Sequence, residues 1–513
     1  MSHDYSGERY IQPVGRLPEK DTRLRIALIY PDTYYTGMSN LSVQAVYGLL
    51  SERTPYAPDL YFYQSDFGLY RHRDMVRKHP QVRLRDYDIV AFSIPYEIQY
   101  INVHRILAAH GIGLTPEERA GTPVVIAGGI PVTANPLPLG GLIDLAFIGE
   151  AEGAFPPFLD DVLHTLPKLK SPRGADARNG LLARWHGRPG FWFAQTGGDL
   201  PRHTLADLGA HDTVSRIITP RTVFSNRMLL QTARGCAARC KFCLAGHTTA
   251  PLRLLSREAI AGRAALARDV TNRIGIIASA PADHPDIADI TTKLVDDGFS
   301  ISFSSLRLSS LTDEMVQCLL RSGQRTVTIA PEVLDESYRK VIGKPFPANA
   351  EVLARTRAFL QAGVPRIKYY FMLGFSFEDD GYIARLARWL EQLDAVAQEL
   401  RPKGEPPLTF AFSFFVPKPQ TPFALEPMPA RAELQHRRKL LKASFRGRSR
   451  LKFESPAWSL LQERLSRGAR DAADTIAFLS TGRLTTSSVN AALERFSIEE
   501  SAAHPEQVWP TLH

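Results

Sequence analysis

Three cysteines fall within a stretch of eight residues, at Cys236, Cys240 and Cys243, separated by three and then two residues. An iron–sulfur cubane held by ordinary ligation takes four thiolates, one for each iron. Three thiolates at this spacing can hold three irons and leave the fourth open to a small molecule. Since the chain has only 4 cysteines, placing three of them here favours chemistry over packing. The spacing therefore predicts a metal site formed by these three side chains.

The neighbours of the cysteines refine this prediction and leave one alternative. Gly235, directly before the first cysteine, lets the loop turn tightly. Phe242 would shield one side of a cluster or stack on a ligand. His247 lies four residues after Cys243, so three cysteines and one histidine could instead close a tetrahedral zinc site. The local spacing alone leaves zinc open.

After the cysteine loop, apolar runs rich in β-branched residues alternate with helical patterns. We predict strands at 227–233, 273–279, 300–308, 326–332, 366–374 and 408–417. Helices are predicted between them at 256–270, 286–298, 312–323, 350–363 and 380–400. Six such units predict a parallel sheet, open or curled into a partial (βα)6 barrel, with helices outside. The cysteine loop follows the first strand and so lies at the carboxyl edge, where sites form in such sheets. A structural zinc ion has no evident need of that position.

The first 165 residues show a second α/β pattern. Strands are predicted at 24–30, 60–64, 88–94, 123–127 and 145–148, with helices at 41–53 and 97–110. This order predicts a doubly wound, Rossmann-like domain. Residues 166–222, with scattered Pro, Gly and Arg, are predicted to form a connector that holds one short strand at 190–195. The chain thus divides into 1–165, the connector 166–222, a core at 223–429 and a mainly helical region at 430–513, with helices at 430–445, 456–468 and 469–480.

The cysteine motif and the (βα)6 run that follows it resemble the radical S-adenosylmethionine (SAM) superfamily, over roughly residues 225–425. The resemblance implies a [4Fe–4S] cluster on Cys236, Cys240 and Cys243, whose open iron is chelated by the amino and carboxylate groups of SAM. It implies that electron transfer splits the sulfonium and yields a 5′-deoxyadenosyl radical. An external electron donor such as flavodoxin or ferredoxin would supply that electron.

Short runs outside the cysteines point to a narrower likeness. In their order along the chain they resemble a subgroup that carries an N-terminal cobalamin-binding-like domain. Each run is weak alone, and only their order gives them weight. The runs are Tyr30-Pro31-Asp32-Thr33-Tyr34, Gly37-Met38-Ser39-Asn40, Ser305-Leu306-Arg307, Ile329-Ala330-Pro331-Glu332 and Leu465-Ser466-Arg467-Gly468.

The superfamily resemblance also implies contacts to SAM at the strand ends. The short polar motif that usually holds the methionine amino group reads Ala278-Ser279-Ala280 here, a departure from the family pattern. Arg307 and Arg339 each offer a carboxylate a bidentate partner, although a surface ion pair is an equal alternative. Gly374 could let adenine approach the backbone, or it could only break the strand. The SAM-contacting residues predicted in this way are Phe242, Ser279, Ser304, Ser305, Arg307, Glu332, Arg339 and Gly374.

Cobalamin domains often carry an Asp-x-His-x-x-Gly motif whose histidine ligates cobalt. The corresponding run here, Asp32 to Gly37, has Tyr34 at the histidine position. A neutral phenol with a pKa near 10 is a poor cobalt ligand compared with imidazole. Three outcomes follow: cobalamin without a protein axial ligand, a different ligand, or a structural domain that has lost the cofactor and covers the substrate cavity. The cobalamin-contacting residues predicted from the resemblance are Tyr34, Gly37, Met38, Ser39, Gly128, Gly129 and Gly149.

Size and composition are those of an intracellular enzyme. A chain of 513 residues with 44% hydrophobic residues can bury two sizeable cores. No apolar run is long enough to span a membrane, and the polar N-terminus does not resemble a signal peptide. Reduced cysteines and an oxygen-sensitive cluster predict a cytoplasmic location.

The net charge of +9 is unevenly distributed. Residues 431–452 contain nine Lys or Arg and one acid, Glu433, which gives this window a charge of +8. Such a patch could meet RNA phosphate. The window shows no evident interleaved aromatic platform, however, and a solvated helix face is the commoner explanation.

Three functional classes follow. The leading one is a cobalamin-dependent radical SAM methyltransferase acting on an unactivated carbon or phosphorus centre, in which the protein positions both cofactors and excludes water. The second is a radical SAM enzyme without cobalamin that catalyses another hydrogen abstraction, and the third is a zinc-stabilised RNA-binding protein. Methylthiolation of tRNA is rejected because the N-terminal part has no cysteines for a second cluster, and Cys318 fits a buried small side chain in an apolar helix. The pattern assigns no catalytic side chain, substrate or oligomeric state.

Overall fold

The computed structural model describes residues 7–12, 18–64, 68–72, 82–303, 306–308, 311–496 and 512–513. The chain folds into two compact units. Unit 1 comprises Met1–Met228, Leu266–Thr271 and Arg464–His513, and unit 2 comprises Leu229–Ala265 and Asn272–Glu463. Within the described residues, no helix combines the length and the apolar character needed to cross a lipid bilayer.

Unit 1 is built on a sheet with the strand order β4-β3-β2-β5-β6-β7-β8. Strands β2, β3, β5, β6 and β7 are parallel, and β4 and β8 pair antiparallel at the two edges. Its elements are β1 Arg9–Tyr10, β2 Ile26–Tyr30, α1 Tyr34–Met38, α2 Leu41–Arg53, β3 Asp59–Tyr63, β4 Leu69–Arg71, β5 Ile89–Ser93, α3 Tyr100–Ala109, β6 Val124–Gly128, α4 Ile130–Ala134, β7 Leu145–Phe147, α5 Phe155–Leu169, α6 Gly174–Trp185, β8 Phe191–Trp192 and β9 Ile217–Ile218.

The five strands predicted for the first 165 residues are all present, each within two residues of the predicted bounds. They are continuous apolar runs because helices cover both faces of the parallel sheet, so β2, β3 and β5 are buried along their whole length. The segment 166–222 differs from the predicted connector. It contains α6, which buries Leu181, Leu182 and Trp185, and β8, which extends the sheet.

Unit 2 contains two sheets, with the orders β10-β13-β14 and β15-β16-β17-β18. The second sheet is parallel throughout, and β11 and β12 form a separate antiparallel pair. The elements are β10 Met228–Gln231, β11 Ala233–Arg234, α7 Leu244–Thr248, β12 Arg253–Leu254, α8 Arg257–Ala265, β13 Arg273–Ile277, α9 Ile287–Asp296, β14 Ser300–Phe303, α10 Asp313–Arg321, β15 Thr326–Glu332, α11 Glu336–Val341, α12 Asn349–Gln361, β16 Arg366–Leu373, α13 Asp380–Leu400, β17 Leu408–Phe414, α14 Arg431–Ser444, β18 Arg450–Phe453 and α15 Pro456–Arg467.

The predicted strand–helix alternation of the core is present, and its strands do not close into a barrel within the described residues. Strand β16 shows why one face of the sheet carries the core: Ile367, Tyr369, Phe371 and Leu373 are fully buried, and the residues between them are not. Strand β18 interrupts the region predicted to be mainly helical. It is only four residues long, too short for its alternation to stand out, and it is held by parallel pairing with β17.

The chain returns to unit 1 at Arg464, within α15, and then forms α16 Ala472–Ser480 and α17 Thr486–Arg495. Arg105 on α3 donates hydrogen bonds to the carbonyl oxygens of Leu479 (2.8 Å) and Ser480 (3.2 Å). Asn135, after α4, donates to the carbonyl oxygens of Ser466 and Gly468, both at 2.9 Å. All these donors are buried, so the late segment is an integral part of unit 1.

Candidate functional site

The cysteine loop of unit 2 connects β11 to α7 and lies beside the β11–β12 pair. Gly235 has φ +83°, and a Cβ atom placed there would lie 2.5 Å from the carbonyl oxygen of Pro251. Only glycine tolerates both the positive φ and this close approach. Cys240 is buried, Cys236 and Cys243 are partly exposed, and the amide of Cys243 donates to the carbonyl of Cys240 at 3.0 Å. The loop is therefore a tight turn that presents three thiols.

His247, the fourth ligand of the zinc alternative, is engaged by the loop itself. Its Nε2 atom lies 3.1 Å from the carbonyl oxygen of Cys240 and donates a hydrogen bond to it. Among the described side chains, no three His, Cys, Asp or Glu residues converge on one point as ligands of a single ion would. A cubane spreads its thiolates over separate irons and does not require such convergence. Cys318 lies in α10 with 1% exposure, in agreement with the predicted packing role.

Two cations lie close to the thiols. Nη2 of Arg307 is 4.0 Å from Sγ of Cys236 and 2.8 Å from Oδ2 of Asp283. Nζ of Lys344 is 2.9 Å from Oε1 of Glu332, at the end of β15. Glu332 has φ +67°, an uncommon conformation for a residue other than glycine. Each cation has a carboxylate partner, so an anionic ligand would bind here by exchange with Asp283 or Glu332.

The electrostatics of the thiols follow from their burial. Burial raises the pKa of Cys240 to about 11, and the charge of Lys344 acts in the opposite direction. Burial acts to lower the pKa of Lys344, but attraction and a hydrogen bond from Glu332 outweigh it, so the pKa is raised. Lys344 therefore stays cationic beside the thiols.

An open cleft of about 520 Å³ lies beside the loop. One wall is formed by the loop and the other by the end of α11 and the residues after it. The amide of Lys241 donates to the carbonyl of Ile342 at 2.9 Å, which ties the two walls together. The lining residues are Ala237, Ala238, Arg307, Arg339, Lys340, Gly343, Lys344 and Pro345.

The residues predicted to contact SAM fall into different environments. Arg307 and Glu332 come together with the cysteine loop through the contacts above. Arg339 is buried, and its guanidinium donates to Val333, Pro347 and Asn349 within the protein. Ser279 is exposed after β13. Ser304 and Ser305 lie outside the described residues.

Phe242 and Gly374 border an apolar wall next to the loop. Phe242 packs against a buried cluster formed by Val333, Ile342, Phe375, Phe415 and Phe423. The rings of Phe375 and Phe415 stack with centroids 4.6 Å apart. Gly374 has φ +108° and its amide donates to Oε2 of Glu378 at 2.7 Å. The wall excludes water from one side of the site.

Sequence reasoning missed Lys344, Asp283 and a buried pair behind the wall. In that pair, Nη1 of Arg437 lies 2.7 Å from Oε2 of Glu378. Burial raises the pKa of Glu378 to about 7, although the Gly374 amide and the Arg437 charge oppose the shift. The Gly343-Lys344-Pro345 run shortly after α11 was a usable signal for Lys344. The pair had no such signal because its members lie 59 residues apart.

In unit 1, Tyr34 occupies the position where related motifs carry a histidine, and it is 7% exposed. Its hydroxyl donates to Oε1 of Glu8, and its ring stacks on His72 with centroids 6.2 Å apart. Glu8 also accepts from Nε2 of His72 at 3.0 Å and from the hydroxyl of Tyr10 at 2.9 Å. Tyr34 is thus fixed inside unit 1, and its oxygen already has a partner.

The other residues predicted to contact cobalamin are explained in large part by packing. A Cβ atom on Gly37 would lie 2.4 Å from the Phe62 ring, one on Gly129 would lie 1.8 Å from the carbonyl oxygen of Ile94, and one on Gly149 would lie 2.2 Å from that of His203. Gly128 has room for a side chain. Met38 is buried, and the hydroxyl of Ser39 is 2.9 Å from that of Thr222.

The carboxyl edge of the unit 1 sheet nevertheless exposes large side chains. Tyr35 (52% exposed), Tyr96 (44%) and Ile130 (42%) follow the adjacent strands β2, β5 and β6. The chain leaves β2 towards β3 on one side and returns to β5 on the other, so this edge is a topological switch point, where ligands of such sheets bind. The edge suits a ligand with a large apolar face.

The basic window 431–452 is partly used inside unit 2. Arg437 pairs with Glu378 and Glu433, and Arg450 pairs with Glu405 at 3.0 Å. The sequence showed no aromatic platform, but Phe453 on β18 has the Lys442 ammonium 5.3 Å from its ring centroid. RNA binding stays the less favoured interpretation of this window, after a solvated helix face.

Two family matches cover much of the chain. Residues 42–192 match the family described as radical SAM proteins, N-terminal, and residues 230–390 match the radical SAM superfamily. The uncharacterized protein MJ0966 of Methanocaldococcus jannaschii is 26% identical over 412 residues, which span 78% of this chain and 79% of that protein.

Solved structures share the fold at low identity. One is the radical SAM methyltransferase TsrM from Kitasatospora setae, solved with cobalamin and a [4Fe–4S] cluster, with a TM-score of 0.52, 11% identity and coverage of 78% of this chain and 77% of TsrM. Another is the cobalamin-dependent SAM radical enzyme OxsB, solved with aqua-cobalamin and SAM, with a TM-score of 0.52, 13% identity and coverage of 89% of this chain and 67% of OxsB. With its cysteine loop and both family matches, the chain belongs to the radical SAM superfamily.

Proposed function

We propose that this protein binds a [4Fe–4S] cluster through Cys236, Cys240 and Cys243 and cleaves SAM reductively. The observation that carries the proposal is the three-thiol turn with Arg307 against Cys236, inside the segment that matches the superfamily. When bound, the cluster would pass one electron to the sulfonium of SAM, whose carbon–sulfur bond breaks to give methionine and a 5′-deoxyadenosyl radical.

The chain's own residues would bind and orient SAM and keep water out. Arg307 would exchange its pairing with Asp283 for the carboxylate of SAM, which a guanidinium can hold bidentately. Lys344 would offset the negative charge of the thiolates. The apolar wall behind Phe242 would keep water away from the radical.

The test is anaerobic reconstitution followed by iron, sulfide and zinc analysis and by assay of 5′-deoxyadenosine. We expect iron and sulfide in the wild type and loss of both in Cys236→Ala, Cys240→Ala and Cys243→Ala. Cys318→Ala is the matched control and should keep both. One zinc per chain with no sulfide would refute the cluster, and activity that depended on Cys318 would refute the assignment of ligands.

In its finer form the proposal is a cobalamin-dependent methyltransferase that acts on an unactivated carbon or phosphorus centre. Cobalamin in the solved relatives and the exposed Tyr35, Tyr96 and Ile130 at the switch point support this form. Since Tyr34 is hydrogen-bonded to Glu8, a corrinoid would be held here without an axial ligand from that position. When bound, cobalamin would supply the methyl group that the substrate receives.

The second candidate is a radical SAM enzyme that uses no cobalamin. Close packing already explains why positions 37, 129 and 149 are glycine. Gly37, Gly129 and Gly149 therefore give no separate evidence for a bound corrinoid, which favours this candidate. Growth or refolding with hydroxocobalamin, followed by absorbance spectroscopy of the purified protein, separates the two. Retained corrinoid supports methyl transfer, and none retained under conditions that load the cluster favours the second candidate.

A further inference from the structure

Exposed apolar side chains gather around the cysteine loop of unit 2. Val341 is 45% exposed, Leu425 is 68% exposed and Leu254 is 40% exposed. The fourth large apolar side chain exposed among the described residues of unit 2, Tyr370, lies within β16. Apolar surface of this kind marks an interaction site more often when it is clustered than when it is scattered.

Backbone hydrogen bonds show that two of these side chains flank the loop. The carbonyl of Lys241 accepts from the amide of Phe423 at 3.1 Å, two residues before Leu425. The amide of Lys241 donates to the carbonyl of Ile342 at 2.9 Å, next to Val341. Lys241 directly follows the buried ligand Cys240, so both apolar side chains lie on segments bonded to the loop.

The charge around these side chains is mostly positive, with Glu426 next to Leu425 as an acidic neighbour. The segments 236–245 and 337–347 contain no Asp or Glu. Their cations are Arg239, Lys241, Arg339, Lys340 and Lys344. Arg239 and Lys340 are exposed, and Lys340 also lines the open cleft beside the loop. Exposed apolar side chains beside exposed cations are complementary to a partner that presents acidic residues next to an apolar patch.

We propose that the surface formed by Arg239, Lys340, Val341 and Leu425 is the docking site of a small acidic electron-carrier protein. This inference rests on the proposed function, which needs one external electron for each SAM cleaved. The carrier would be oxidised by one electron and the cluster reduced by it, with no proton or group transferred. The surface borders the loop that carries the thiols.

The experiment compares two reductants on the cluster-loaded protein. Dithionite is a small ion that needs no docking surface, and reduced flavodoxin is the acidic carrier used as the probe. The variants are Lys340→Glu and Leu425→Ser, both at exposed positions. Lys439→Glu, at an exposed position on α14, is the matched charge-reversal control. Formation of 5′-deoxyadenosine and the Kd for oxidised flavodoxin are measured at low and high salt.

We expect Lys340→Glu to lower the affinity for flavodoxin by about tenfold at low salt, with the difference shrinking as salt screens the charges. Leu425→Ser should lower the flavodoxin-driven rate and affinity by about tenfold at either salt concentration. The dithionite-driven rate should stay at the wild-type value in Leu425→Ser, and Lys439→Glu should match the wild type throughout. Because Lys340 lines the cleft beside the thiols, Lys340→Glu is judged by its Kd for oxidised flavodoxin.

Wild-type behaviour of Lys340→Glu and Leu425→Ser with flavodoxin would overturn the proposal. So would an equal loss of the dithionite-driven rate in Leu425→Ser, because that would mean damage to the site itself. Failure of the wild type to cleave SAM with dithionite would count against the proposed function alone. The Kd values would then still decide the docking site: weaker binding by the two variants supports it, and no binding by the wild type overturns it.

Discussion

Replacement of Gly235 by alanine tests whether the shape of the cysteine loop is required for the metal site. The residue has φ +83°, which costs an L-amino acid with a side chain about 1–2 kcal/mol. The new Cβ atom would also lie 2.5 Å from the carbonyl oxygen of Pro251. Relief of such an overlap in a packed region costs about 1–3 kcal/mol. We therefore expect Gly235→Ala to lower the free energy of unfolding of the apo protein by about 2–5 kcal/mol in total.

The overlap should also displace the loop, because the atom it meets belongs to the backbone that leads into β12. Iron and sulfide bound per chain after anaerobic reconstitution should fall well below the wild-type values. Gly298→Ala is the matched control, since Gly298 has φ +89° and a Cβ atom there would have no neighbouring atom within 4 Å. It should lose only the conformational part, about 1–2 kcal/mol, and bind iron as the wild type does.

Urea titration of the apo protein measures the stability of both variants. The reasoning is refuted if Gly235→Ala is no less stable than Gly298→Ala and takes up a full complement of iron. Equal loss of iron in both variants would mean that general destabilisation, rather than the shape of the loop, controls cluster binding.

Three further predictions concern other parts of the molecule. Arg307→Ala should weaken SAM binding by the cluster-loaded protein about 10- to 100-fold, because a charge-assisted hydrogen bond is lost; an unchanged binding isotherm would exclude the contact. Burial raises the pKa of Glu378 from 4.5 to about 7, so its stabilising contribution is complete below pH 4.5 and is lost as the pH rises through 7. Between pH 4.5 and pH 8, the free energy of unfolding of the wild type, measured by urea titration, should therefore fall by about 3 kcal/mol more than that of Glu378→Gln. The same dependence of unfolding free energy on pH in both proteins would contradict the burial argument. Tyr34→Phe should keep corrinoid uptake and lose about 1 kcal/mol of stability, because its hydrogen bond to Glu8 is lost. Tyr35→Ser should lower corrinoid uptake. Loss of uptake in Tyr34→Phe with normal uptake in Tyr35→Ser would reinstate Tyr34 as the ligand.

Elements with strong local signals could be predicted from the sequence. Strand β15 and helix α13 have the predicted bounds. Helix α13 begins where Asp379 accepts a hydrogen bond from the amide of Tyr382 at 2.6 Å, so its start is encoded within a few residues. Strand β18 was missed because pairing with β17, rather than local pattern, holds its four residues.

In the candidate site, too, some residues had a local signal in the sequence and others did not. Three thiols within one turn were visible as a group because they are close in sequence. The cations beside them were harder to find, since Lys344 reaches Glu332 across 12 residues and Arg307 reaches Cys236 across 71. Which of several arginines points at the loop depends on how the strands pair. Arg339 offered the same chemistry as Arg307 in the sequence, yet its donors bond to Val333, Pro347 and Asn349.

The return of residues 464–496 to unit 1 bears on how the chain is made. On a ribosome the early sheet emerges first, but the bonds from Arg105 and Asn135 wait until about 230 further residues of unit 2 have been synthesised. The nascent early segment must meanwhile keep those donors hydrated or shielded by a chaperone. A premature stop after unit 2 would therefore damage the amino-terminal half of the molecule, far upstream of the lesion.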